Sequence, residues 1–253
     1  MKPGTDRVVV LAVFFFASWW SLVPVNAWPA ELITDPLTGP VLEQFIERYI
    51  RTHPEVIEQS LQALENNRAA EEQQRQKAAI ATHQQELLND PDSPVSGNPA
   101  GDVTVVEFFD YRCGYCKRAA SALTQLQQND SGIRVVYKDF PILGETSELA
   151  AKAALASHLQ GKHQAFHEAL LAIKDDLTKE QLFRVANATG LDAERLDRDI
   201  NRPEWQPIID RNRTLAKKLG ISGTPAFVVG TELVPGALDL KMLEDLVAQK
   251  RSR

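Results

Sequence analysis

Two cysteines three residues apart, Cys113 and Cys116, stand directly behind the apolar run VTVVEFF at 103–109 and open a segment with helical spacing. A short run rich in Val and Phe reads as a buried strand. A helix that begins straight after it places Cys113 where unpaired backbone amides and the positive end of the helix dipole stabilise a thiolate. These are the only cysteines in the chain, so no disulfide framework of the kind that staples small secreted folds is available. The pair has to be explained by chemistry at this junction.

The residues that follow build a domain around it. Ile133, Val135 and Tyr137 alternate onto one face of a second strand, which completes a β-α-β unit. The stretch 147–219 reads as helical throughout. It carries a capping box from Thr178 to Gln181, and Gly220 is a stop after Leu215, Ala216 and Leu219. Gly230-Thr231 is a two-residue hairpin signal between 226–229 and 232–234, and Asp239 can cap a last helix bearing Leu240, Leu243, Leu246 and Val247. The expectation is an α/β domain over 102–253 with a helical insertion at about 145–220.

The region ahead of this domain has a different character. Lys2 and Arg7, an apolar run over 8–23 and the small-residue site Val25-Asn26-Ala27 form a secretory signal pattern over 1–27. The run is shorter than the ~20 apolar residues that span a bilayer. The chain carries a formal net charge of −6, and losing Lys2, Asp6 and Arg7 with the signal makes the remainder more acidic. No basic stripe is present, which argues against nucleic acid as a partner. A periplasmic location and an oxidising compartment are expected.

From 41 to 88 the sequence has no Gly and a single Pro and divides at His53-Pro54. Leu42, Phe45, Ile46, Tyr49 and Ile50 form one apolar stripe. Thr52-His53-Pro54-Glu55 has capping-box form, so a second helix starts there with Val56, Ile57, Leu61 and Leu64 on its early face. Residues 65–77 lack a wide apolar face and are not expected to pack into a core. An apolar stripe of this size is too large to leave in water, so 28–88 reads as an oligomerisation stalk covered by another copy of the chain, a dimer being favoured over a trimer. The stretch NDPDSPVSGNPAG at 89–101 concentrates residues that break periodic structure and reads as the linker.

In the chemistry of the pair, Cys113 is the expected nucleophile. Cys116, one turn further in, is suited to attack a mixed disulfide at Cys113 and release the substrate. A purely structural disulfide is a weak alternative, because so short a ring removes little unfolded-chain entropy. Zinc would need two more ligands; His163 and His167 lie far beyond finger spacing and read as solvated helix-surface residues. Capture of Cu(I) by the two thiolates stays open as an alternative. Glu107 shares a face with Val105 and Phe109, so it is expected to be a buried acid with a raised pKa, able to pass protons to and from Cys116. Lys117 and Arg118, at the helix start, are expected to point to solvent.

Glu107-Phe108-Phe109-Asp110-Tyr111 ahead of Cys113-Gly114-Tyr115-Cys116 resembles the DsbA-like branch of the thioredoxin superfamily, over about residues 100–250. The resemblance extends to Val136-Tyr137-Lys138-Asp139-Phe140-Pro141 and to Gly223-Thr224-Pro225. It implies a thioredoxin fold with an inserted helical domain and a cis Pro225 facing the pair. It also implies backbone groups at Thr224 that receive an extended substrate strand, with Gly114 and Tyr115 beside the bound substrate. Strongly oxidising members carry Pro-His between the cysteines; here Gly114-Tyr115 offers no imidazole to stabilise the thiolate. The N-terminal helices resemble the stalk of the suppressor-of-copper-sensitivity (ScsC-like) subgroup. The implied activity is formation or isomerisation of disulfides in exported proteins, recycled by a membrane redox partner, with no cofactor beyond the Cys113-Cys116 disulfide. A monomeric oxidase and a Cu(I)-binding protein are the rival readings.

Overall fold

The computed structural model describes residues 39–174 and 177–252, and the expected signal segment 1–27 lies outside them. The chain divides into two compact units, Met1–Gln62 and Ala63–Arg253. Among the described residues no helix is long and apolar enough to cross a membrane.

In the first unit, helix α1 spans Pro40–Thr52 and helix α2 begins at Glu55 and continues to Thr82. Phe45, Ile46, Tyr49 and Ile50 are exposed along α1, and the rings of Phe45 and Tyr49 stack one turn apart. The capping box expected at Thr52 is not formed. Thr52 is the last residue of α1, and its hydroxyl donates back to the Arg48 carbonyl at 2.9 Å. The break comes from Pro54, which has no N–H to continue the ladder, and His53 Nδ1 pairs with Glu55 Oε1 at 3.0 Å.

The second unit is built on a five-stranded sheet in the order β1-β3-β2-β4-β5. The strands are β1 (Val95–Gly97), β2 (Val103–Phe109), β3 (Ile133–Asp139), β4 (Ala226–Val229) and β5 (Glu232–Pro235). β2 and β3 are parallel and joined by helix α4 (Gly114–Asn129); the other pairs are antiparallel. Because side chains alternate across the pleat, the two sheet faces carry separate cores. Val103, Val105 and Phe109 of β2, with Ile133, Val135 and Tyr137 of β3, pack against α4, the helical lobe and the last helix. Val106, Phe108 and Val136 point the other way, onto Leu215, Leu219 and Ile221.

That second face also takes Ile80 and Leu87, each 1% exposed. The segment expected to be stalk and linker therefore belongs to this unit from Ala63 onward. Ile80 lies at the end of α2 and Leu87 on the short helix α3 (Gln84–Leu88). The expected linker 89–101 supplies β1, whose Ser96 hydroxyl meets the Tyr137 phenol at 2.9 Å. Lys138 is fully buried beneath this segment. Its ammonium donates to the Glu86 carbonyl, the Ser93 hydroxyl and the Asp90 carboxylate at 2.6, 2.7 and 3.0 Å. A buried charge is tolerable only when paired in this way.

The insertion consists of α5 (Glu145–Ser157), a single 3₁₀ turn, α6 (His163–Leu171), α7 (Lys179–Ala188), α8 (Ala193–Asp199) and α9 (Trp205–Lys218). The Thr178 capping box is present, with both reciprocal hydrogen bonds. Gly220, at φ 74°, ends α9 in a Schellman arrangement: Ile221 N donates to the Ala216 carbonyl at 2.8 Å, and Gly220 N to that of Lys217. Gly230 turns the β4-β5 hairpin, and the Asp239 carboxylate accepts from Met242 N at the start of α10 (Leu240–Arg251).

Candidate functional site

The end of β2 and the start of α4 are joined by a turn that is fixed at several points. Cys113 N donates to the Asp110 carbonyl at 3.0 Å. Asp110 Oδ1 accepts from Arg112 N at 2.8 Å, while its Oδ2 accepts from Ile142 N and Leu143 N at 2.8 and 3.0 Å. Arg112 returns a bond to the Leu143 carbonyl. Asp110 thus welds the cysteine turn to the loop after β3. In the sequence Asp110 stands out only within a family motif; its signal is an Asp two residues ahead of a turn amide, the pattern of an Asx-turn.

Cys113 occupies the N-cap of α4 and is 7% exposed, whereas Cys116 is fully buried one turn in. Both are free thiols. The Cys113 pKa falls to about 5, chiefly through a hydrogen bond from the Cys116 thiol, then through the Thr224 side chain and the amides of Cys116 and Tyr115, against the opposing effect of burial. The same bond, burial and the nearby Glu107 drive Cys116 far upward. One sulfur is therefore a thiolate at neutral pH and its neighbour keeps its proton. The low value arises without an imidazole between the cysteines.

The Thr224-Pro225 peptide is cis. As a thiol, Cys113 Sγ donates to the Thr224 carbonyl at 3.2 Å, so the loop ahead of β4 lies against the Cys113 sulfur. Gly236 N donates to the Pro225 carbonyl at 2.8 Å and ties this loop to the end of β5. Gly114 is exposed, and Tyr115 is 59% exposed beside it. Arg118 is exposed as expected, with its guanidinium 4.1 Å from the centre of the Tyr115 ring. Lys117 is half-buried rather than solvated, because it lies along the cleft between α4 and α6.

Glu107 pairs in register with Tyr137 on β3 and Phe227 on β4, deep in the sheet. It is fully buried, and neither carboxylate oxygen has a hydrogen-bond partner among the described residues. Burial, followed by the charge on Cys113, raises its pKa to about 8. It is a proton-holding acid directly behind the cysteine pair.

His163 and His167 do not sit on the solvated surface. They are 6% and 3% exposed, with their rings stacked at 5.6 Å. With Phe166 and Leu170 they occupy the buried stripe of α6, and burial holds both pKa values low. His167 Nδ1 lies 2.9 Å from the Tyr111 hydroxyl, and its ring packs on Phe109 and Tyr137. Sequence reasoning misses this link between the lobe and the cysteine turn, although His163, Phe166, His167 and Leu170 follow helical spacing. Among the described residues no cluster of three or more His, Cys, Asp or Glu is arranged to hold a metal ion.

Residues 104–248 match the family model of the DSBA-like thioredoxin domain. A thioredoxin-like oxidoreductase from Silicibacter pomeroyi DSS-3 is similar at 48% identity and TM-score 0.65, covering 67% of this chain and 98% of its own. A linker-deletion mutant of Proteus mirabilis ScsC, which carries one further substitution, matches at 26% identity and TM-score 0.67, over 85% and 97% of the two chains. The thiol-disulfide exchange protein alpha-DsbA2 from Wolbachia pipientis matches at 33% identity and TM-score 0.66, over 70% and 96%. Curated relatives include Na(+)/H(+) antiporters; NhaA 3 of Salinispora tropica is 31% identical over 161 residues, 62% of this chain, which spans 25% of that protein's length. The expected thioredoxin fold with its helical insertion is what the structure contains, and the chain belongs to the DSBA-like thioredoxin-domain family of oxidoreductases, with ScsC among its structural neighbours.

Proposed function

We propose that this protein is an exported, periplasmic thiol-disulfide oxidoreductase that forms and isomerises disulfides in other exported proteins. The observation that carries the reading is the contrast within one turn of α4, a thiolate-prone Cys113 at the helix N-terminus and a shielded, proton-bearing Cys116. Cys113 attacks or receives the substrate sulfur, and Cys116 resolves the mixed disulfide. Glu107 takes the proton that Cys116 must lose. Thr224 and Pro225 hold an extended substrate strand across the pair by β-augmentation, and Gly114 and Tyr115 border it. The Cys113-Cys116 disulfide is the only redox group required, and a membrane redox partner restores it.

The exposed stripe of α1 supports a homo-oligomer, a dimer in the first instance, in which several catalytic units act on one substrate. The test is recovery of activity from scrambled ribonuclease, with the mass in solution recorded on the same sample. Recovery by an oligomer is the expected result. A monomer that only oxidises reduced substrate overturns the isomerase reading, and stoichiometric Cu(I) capture without turnover overturns the enzyme.

A further inference from the structure

A cavity of about 380 Å³ opens between α4 and α6 and reaches inward to Glu107 and Tyr137. Ser121, Gln125 and Glu168 at its rim are exposed. The volume is many times what one water occupies. Glu107 lies on the cavity lining, but the carboxylate oxygens show almost no surface to a water-sized probe, so their exchange with the space needs a side-chain fluctuation. In the sheet Glu107 is sealed by Tyr137 and Phe227 on the neighbouring strands.

We propose that this cavity is the route by which the proton held by Glu107 exchanges with solvent, kept open by the small side chains of Ala120 on α4 and Ala172 at the end of α6. The inference rests on the reading of Glu107 as the proton acceptor and adds the path. In the resolving step Glu107 first gives the proton it holds to water in the cavity, and the Cys116 S–H then gives its own proton to the Glu107 carboxylate so formed. The resulting thiolate forms a bond to the Cys113 sulfur, and the Cys113-substrate bond breaks with its electron pair leaving on the substrate sulfur. The reaction is then balanced by a proton on Glu107, which has to depart before the next cycle. It cannot leave through Cys113, which is now half of the disulfide.

The titratable groups around Glu107 are Cys113 and Cys116 on α4, Tyr111 behind β2, Tyr137 on β3 and His167 on α6, with Lys117 and Glu168 further out along the cavity. His167 stays neutral in its apolar surroundings, and burial suppresses ionisation of both tyrosines. Water in the cavity is the carrier left.

The experiment uses the full chain with Ala120→Leu and Ala172→Leu, two independent plugs from opposite walls, and Glu107→Gln beside them. Reduced protein mixed with dithiobis-nitrobenzoate releases one thionitrobenzoate when Cys113 attacks and a second when Cys116 resolves. Each plug should leave the first phase unchanged and slow the second about tenfold, a part of the hundredfold or more that general acid-base catalysis contributes. In parallel, infrared spectra of the oxidised protein transferred to deuterium oxide should show the Glu107 carboxyl exchanging its proton about tenfold more slowly in both plugged variants, a readout that altered packing at Cys116 would not move. Unchanged second-phase and carboxyl-exchange rates in Ala172→Leu, with Glu107→Gln slow, overturn the route and leave the acid role standing. An unaffected Glu107→Gln overturns the acid role itself.

Discussion

The Tyr111 hydroxyl and His167 Nδ1 lie 2.9 Å apart in the buried interior, joining the residue two before Cys113 to the helical lobe. The bond matters because neither group has water to fall back on. Tyr111→Phe strands the histidine nitrogen and should cost about 1–3 kcal/mol, read from the urea midpoint at unchanged slope. An unaltered midpoint would mean that the pair does not hold lobe and turn together.

The Cys113 thiolate should be visible in the reduced protein as an ultraviolet titration with its midpoint near pH 5. The bond from Cys116 is its largest support and the Thr224 side chain the next. Cys116→Ala should therefore move the midpoint upward by more than Thr224→Val does. Charge-assisted hydrogen bonds of about 1.5–3 kcal/mol correspond to shifts of about one to two pH units. A midpoint that stays in place in both variants would assign the effect to the helix terminus alone.

Asp139 is a second buried acid, at the end of β3. Neither of its carboxylate oxygens has a hydrogen-bond partner among the described residues, and its pKa is raised to about 8 by burial and by Asp110. A carboxyl whose folded pKa exceeds its unfolded one lends stability below the unfolded value and loses it as pH rises through the folded value. Between about pH 5 and 8, stability should fall by up to about 1.4 kcal/mol per pH unit for this one group, and Asp139→Asn should remove that slope. His163 acts in the opposite sense. Its pKa is held down to about 3 by burial, so its contribution is lost as pH drops from about 6.5 towards 3. Urea titrations on the oxidised protein, in which the cysteines are silent, measure both slopes.

Removing residues up to Gln62 should leave the catalytic unit folded, since that unit begins at Ala63. Removing residues up to Asn89 also takes away Ile80 and Leu87, both in its core. The longer deletion should be clearly less stable, and Ile80→Ala alone should cost about 2–5 kcal/mol. Equal melting temperatures for the two truncations would show that these side chains do not complete the core.

Which of these features the sequence discloses follows from how each is encoded. β2, β3, the helix behind Cys113 and the caps at Thr178 and Asp239 rest on local alternation and local hydrogen bonds, and those are legible in a few consecutive residues. Ile80 is not, because one apolar residue at the end of a polar helix carries no periodic signal; only the tertiary fold shows that it shares a core with Val106 and Phe108. Residues 89–101 read as a linker because Pro, Gly, Asn, Asp and Ser dominate them, yet three of them suffice for an edge strand. His163 and His167 mislead by residue type, although their spacing with Phe166 and Leu170 is that of a buried face. Glu107 is legible for the reverse reason, a lone acid in an apolar strand.

Lys138 imposes an order of events on folding. Its ammonium can leave water only once the Glu86 carbonyl, Asp90 and Ser93 are positioned to receive it, and these lie about fifty residues earlier in the chain. Until then β3 would bury an uncompensated charge, which is far costlier than the pair is worth. The sheet and the strap that crosses it must therefore consolidate together, so an intermediate with the central strands dry and the strap still loose should not accumulate.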